Sequence, residues 1–175
     1  KLAIYKAFQE AVEACLDRHP VRAIPLPAAV RSGRARILDL LPAHLRAVKD
    51  LVDFNLIARS RLRRAHDALF GVGAGCFERL LGRTSCRVTT LTGARDVLFG
   101  GINPEPIPAN YGLASAWLRE HPQDVCVVTD GDADRVGAMD GRGRPVSTHQ
   151  VICLLLRHLV LHRGGRGAVV KALTT

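Results

Sequence analysis

Val125-Cys126-Val127-Val128-Thr129-Asp130-Gly131-Asp132-Ala133-Asp134-Arg135 passes from four unbroken apolar residues straight into three carboxylates spaced two apart. A short apolar run that ends in a polar loop reads as a central strand covered on both faces, as in sheets flanked by helices. Outward from it, strands and helices alternate. Upstream, Ala65 to Phe70 reads as a strand, Gly71-Val72-Gly73-Ala74-Gly75 as a tight turn, Phe77, Leu80 and Leu81 as one side of a helix, and Arg87 to Leu91 as a second strand. A long loop, Thr92 to Asn110, leads to a helix from Tyr111 to Glu120 carrying Leu113, Trp117 and Leu118. Downstream, Val136 to Met139 reads as a strand that turns at Asp140-Gly141 into a hairpin. Ser147 or Thr148 can cap a helix from His149 to His162, whose apolar residues nearly surround it, so packing on more than one side is expected there. Alternation of this kind assigns the chain to the α/β class.

The front differs. Leu41, Leu45, Val48, Val52 and Leu56 recur at three- and four-residue steps, predicting one amphipathic helix from Asp39 to Arg59 with Pro42 in its first turn. Lys1 to Val30 reads as a helix with Ala3, Ala7, Ala11 and Cys15 on one side, then a stretch punctuated by Pro20, Pro25 and Pro27. The sole methionine is Met139, so the chain is expected to be a segment of something longer.

If the acidic stretch is extended, residues two apart project to one side, and Asp130, Asp132 and Asp134 aim three carboxylates at one point. Like charges so placed repel unless a cation joins them. A hard divalent ion with oxygen ligands fits, magnesium better than an all-protein calcium cage, while zinc is disfavoured because no His or Cys adjoins the loop. The EF-hand also opens Asp-x-Asp-x-Asp, but it requires Gly at the sixth place and Glu at the twelfth, where this chain has Arg135 and Gly141. The bland reading is an Asp/Gly turn bonded to its own backbone. Position favours a site, since ligands of α/β sheets gather at the carboxyl ends of strands, and Arg135 adds a fork of donors suited to phosphate.

Composition bounds the rest. The chain has 175 residues, 47% of them apolar and 23% charged, enough for one sizeable core and too little for several catalytic domains. No run approaches the roughly 20 apolar residues of a membrane span, and the charged start is unlike a signal peptide, so a soluble, cytoplasmic protein is expected. The five cysteines include no Cys-x-x-Cys pair and read as buried reduced thiols. A net charge of +9, with arginines grouped at Arg31, Arg34 and Arg36 and at Arg59, Arg61, Arg63 and Arg64, raises a noncatalytic phosphate- or nucleic-acid-binding module as the alternative. No aromatics interleave these groups, so a solvated basic face explains them more simply. Gly71 to Gly75 lacks the Lys-Ser/Thr of a P-loop and the spacing of a dinucleotide fingerprint, and reads as a structural turn. Glu105 reads as part of a stiff connector, and His66 and His149 as surface or capping residues.

Four motifs, in order, resemble the α-D-phosphohexomutases, the phosphoglucomutases and phosphomannomutases. Thr129 to Asp140 is similar to their metal-binding loop and following strand; Asp67 to Gly75 resembles the strand and turn of their second domain, with Ala68 where Pro is usual. Gly100 to Asn110 resembles their Pro-Glu-Pro loop, and Gly167 to Thr175 the start of their third domain. The resemblance implies a three-layer α/β domain with a mixed sheet flanked by helices. Residues 1–38 would then be the tail of a preceding domain and linker, 39–166 the metal-binding domain, and 167–175 the beginning of a third. It implies a four-domain enzyme that moves phosphate between the C1 and C6 oxygens of a hexose phosphate through a phosphoserine. Magnesium would be held by Asp130, Asp132 and Asp134, with Arg135 and Lys171 contacting phosphate or substrate. The family serine lies in a Thr-Ala-Ser-His-Asn type motif, in which none of Ser32, Ser60, Ser85, Ser115 and Ser147 is embedded; this segment alone is not expected to turn over substrate.

Overall fold

The computed structural model describes residues 2–16, 18 and 23–171. Lys1, Pro20 and residues 172–175, which the sequence reading included in its terminal segments, lie outside the described residues. The chain divides into two compact units, residues 1–42 and 43–175. The first contains α1 (Leu2–Glu13) and α2 (Leu26–Arg31). α2 forms inside the stretch that the sequence reads as broken by prolines: Pro27 sits at the start of the helix, where its missing N–H is not needed.

The second unit opens within α3 (Leu41–Leu51), followed by α4 (Phe54–Arg59). The single helix predicted over 39–59 is therefore two. Asp53 leaves helical geometry and its carboxylate accepts the Leu56 N–H at 2.9 Å, capping a new helix. Five strands follow: β1 (Arg63–Asp67), β2 (Arg87–Leu91), β3 (Val125–Thr129), β4 (Val136–Asp140) and β5 (Pro145–Val146). Their order is β2-β1-β3-β4-β5, with β2, β1 and β3 parallel and β3, β4 and β5 antiparallel. The sheet is mixed, and β3 is its middle strand.

The pleat assigns the two faces. Ala65 pairs with Cys126, which pairs with Met139, so all three share one face, and there they meet Ala114 and Leu118 of α6 (Gly112–Glu120) together with Tyr111 and Leu69. His66 and Thr90 point to the opposite face, where His66 meets Phe77 edge-on and Thr90 donates to Glu78, both on α5 (Cys76–Leu81). Helices on both faces make the three-layer α/β arrangement.

Several sequence expectations are corrected here. β1 stops at Asp67 rather than Phe70, because the Asp67 carboxylate accepts the Leu69 N–H at 3.2 Å, and Leu69 and Phe70 take positive φ values of 45° and 61°. The last helix, α7 (Thr148–Leu161), is capped by Ser147, one of the two caps expected, with Gln150 completing a capping box. It is not packed on several sides: none of its residues is buried, and Leu154, Leu155, Leu159 and Leu161 are each more than half exposed. The cysteines are all free, but only Cys86 and Cys126 are buried, while Cys15 and Cys153 are exposed. Among the described residues no helix is long and apolar enough to cross a membrane.

Candidate metal centre

Because β1, β2 and β3 run parallel, the segments that leave their carboxyl ends emerge together. The acidic loop is the connection between β3 and β4, whose last pair is Thr129 with Val136. It is a closed turn and not the extended strand that the sequence spacing suggested. The Asp130 N–H donates to the Arg135 carbonyl at 3.3 Å, the Ala133 N–H to the Asp130 carbonyl at 3.2 Å, and Ala133 has φ 62°. The predicted convergence of Asp130, Asp132 and Asp134 is present through this different route, with one carboxylate oxygen from each within 4.8 Å of the others. Asp130 is 0% exposed; Asp132 and Asp134 face solvent.

Arg135 organises the trio. Its backbone N–H donates to Asp130 Oδ1 at 3.0 Å and its Nε to Asp130 Oδ2 at 2.8 Å, while Nη1 donates to Glu105 Oε1 at 3.1 Å. Burial pushes the Asp130 carboxyl up, but hydrogen bonds from the Arg135 backbone and guanidinium outweigh it and bring Asp130 down to about 2. Asp134 moves the other way, raised by the negative charge of Asp132 and by Asp130. The loop thus concentrates more negative charge than Arg135 neutralises. Each carboxylate oxygen accepts two hydrogen bonds, so Asp130 keeps lone pairs free even with Arg135 attached, and the oxygen-only donor set suits a hard divalent cation.

Two other segments grip the loop. The Val72 N–H donates to the Gly131 carbonyl at 3.0 Å, and the Gly131 N–H donates to the Pro104 carbonyl at 3.1 Å. A Cβ on Gly71 would lie 2.6 Å from the Gly131 carbonyl oxygen, and one on Gly131 would lie 2.9 Å from Pro104 Cγ, so neither position admits a side chain without displacing its neighbour. The Gly-rich turn is structural in this sense. Glu105 holds Arg135, a role that its flanking prolines concealed in the sequence. A cavity of about 500 Å³ opens beside Gly71, Arg95 and Gly131.

The remaining candidates scatter. Lys171 is exposed in the irregular segment after α7. His149 is exposed, but His66, read from sequence as a surface or capping residue, is 1% exposed: it lies on β1 under α5, and no apolar periodicity marked it. The five serine side chains make structural bonds: Ser32 to Ala29 and Ser60 to Ile57 within a turn, Ser85 to Ala58 and Ser115 to Gly143 between distant segments, and Ser147 capping α7. In the second arginine group, Arg63 lies against Asp124 and Arg64 donates to Ser60, which gives the basic-face alternative no support.

Residues 42–143 match the family model described as phosphoglucomutase/phosphomannomutase, alpha/beta/alpha domain II. The chain belongs to this family. Among its relatives, the probable phosphoglucosamine mutase of Methanothermobacter thermautotrophicus is 29% identical over 127 residues, covering 73% of this chain and 27% of that protein. The phosphopentomutase of Thermococcus kodakarensis is 30% identical over 140 residues, 80% of this chain and 30% of that one. A crystal structure of a Thermus thermophilus protein assigned as a phosphomannomutase superposes with TM-score 0.61 at 37% identity, covering 73% of this chain and 29% of that chain. The chain therefore spans less than a third of the length of these relatives.

Proposed function

We propose that this chain is the metal-holding domain of a phosphohexomutase that moves phosphate within a hexose phosphate, and that Asp130, Asp132 and Asp134 hold Mg²⁺. The observation that carries this reading is the convergence of the three carboxylates within 4.8 Å at the end of the middle strand. Bound there, the cation would neutralise charge on a transferring phosphoryl group. Asp130, sealed under the loop and kept ionised by Arg135, supplies a fixed negative ligand; Asp132 and Asp134 supply exposed ones. Arg135, braced by Glu105, keeps part of its guanidinium accessible for a phosphate oxygen. Lys171 is proposed as a second phosphate or substrate contact. The nucleophilic serine is assigned to another domain of the parent enzyme, with residues 1–38 and 167–175 belonging to the first and third. Relatives are named for glucosamine, pentose and glucose or mannose substrates, so the preferred sugar is not assigned.

Mn²⁺ titration of the 175-residue chain, followed by electron paramagnetic resonance, tests the reading. Asp132→Asn is the informative variant, because Asp132 is exposed and its loss spares the Asp130–Arg135 bonds. Saturable binding that Mg²⁺ competes away, and that Asp132→Asn and Asp134→Asn abolish, is expected. Binding unchanged in both variants, or salt-sensitive polyanion binding with no Mn²⁺ uptake, would overturn it.

A further inference from the structure

We infer that His66 is a positioning residue for the acidic loop, acting through the Thr129 side chain, an assignment that rests on the proposed metal role of that loop. His66 is on β1 and Thr129 ends β3; the register pairs His66 with Val127, so Thr129, two residues on, shares its face of the sheet. His66 Nε2 lies 3.0 Å from Thr129 Oγ1, a hydrogen bond that joins residues 63 apart in sequence. The next residue after Thr129 is Asp130, whose carboxylate has no solvent exposure and so cannot adjust freely if the strand end moves. The Gly-rich turn closes the same knot. A Cβ on Gly73 would lie 2.9 Å from Thr129 Oγ1, 3.3 Å from Ala133 Cβ and 3.5 Å from His66 Cε1. Thr129 before the loop and Ala133 within it are thus both packed against one spot, with the imidazole behind them.

Packing alone does not account for a histidine here. The ring is buried and meets Phe77 edge-on at 4.8 Å, a place that an apolar ring could fill. Among the described residues its Nδ1 has no hydrogen-bond partner, so the imidazole carries an unmet polar group into the interior. What the histidine supplies and an apolar ring cannot is the bond to Thr129. Burial lowers its proton affinity below the ordinary value, despite the nearby Glu78 and Asp67 charges, so the ring acts as a neutral hydrogen-bonding partner.

A double-mutant cycle in the 175-residue chain tests this. His66→Phe and Thr129→Val each should weaken Mn²⁺ binding by about tenfold, the scale of losing an outer-shell support. The double variant should be no weaker than either single, and Thr129→Ser should stay within about twofold of the parent chain. Hydrogen exchange should show faster exchange at the Gly131–Arg135 amides in both singles, with β2 and α6 unchanged, which separates a local positioning role from loss of fold. Additive losses in the double variant, or unchanged affinity and loop exchange in both singles, would overturn the assignment. If the parent chain binds no Mn²⁺, the metal reading fails by itself and the exchange cycle decides: coupled loss of loop protection supports the His66–Thr129 role, and unchanged protection overturns it.

Discussion

Helix α6 places Ala114 and Leu118 at 0% exposure against Cys126, Val128 and Met139, while α7, longer and richer in leucine, buries none of its residues. α6 turns Ala114, Leu118 and the half-buried Trp117 to the sheet and leaves Leu113 and Ala116 exposed. α7 carries apolar residues around most of its circumference, and only Val151 and Ile152 become half-buried. Apolar content measures how much burial a helix can use; a facing surface determines how much it gets. The capping box shows that α7 is well specified locally even so, since its start is set by Ser147 and Gln150 rather than by packing.

The sharpest break of this contrast would come from thiol labelling. Cys126, with burial and the neighbouring Asp67 charge pushing its thiol up to about 12, should react at least ~1,000-fold more slowly than Cys153 on α7, because labelling requires the core to open. Comparable rates would show that the face under α6 is not sealed. Next in size, Leu118→Ala should cost about 3 kcal/mol in urea unfolding, whereas Leu155→Ala on α7 should stay within about 0.5 kcal/mol. A large loss at Leu155 would mean that α7 is covered in solution.

Acid provides a third test, at the loop that lies beyond the α6-covered core. Asp130 falls from its ordinary 3.8 to about 2 in the folded chain, so its stabilising contribution is present above pH about 4 and lost as the pH falls towards 2. Asp130→Asn should flatten that acid limb in a pH series of unfolding curves, while substitutions on α7 leave it in place. The smallest effect is expected from Ser147→Ala, about 1 kcal/mol of local helix stability, read as faster exchange in the first turn of α7 with the unfolding midpoint of the sheet unchanged.

Strand and helix positions from β2 to β4 were legible because each rests on local patterning: the apolar run of β3, the 3.6-residue spacing of α6, the turn at Asp140-Gly141. The boundaries that failed are those where a side chain captures its own backbone. Asp53 splits the helix predicted over 39–59 and Asp67 ends β1 early, and neither aspartate's local bond shows in hydrophobic periodicity. At the candidate site, the spacing of Asp130, Asp132 and Asp134 anticipated that the three carboxylates lie together, but through the wrong backbone geometry. Their brace, Glu105, and the buried His66 were invisible, since a connector glutamate and a lone histidine carry no pattern.

The sequence alone determined the α/β class, the acidic trio and the family resemblance, because these follow from short-range periodicity and contiguous motifs. Tertiary structure decided which groups act on the loop. Arg135 meets Glu105 across 30 residues and His66 meets Thr129 across 63, contacts that exist only once parallel strands bring their carboxyl ends together. It also left α7 uncovered, since burial depends on a surface elsewhere in the fold that no helix encodes in its own residues.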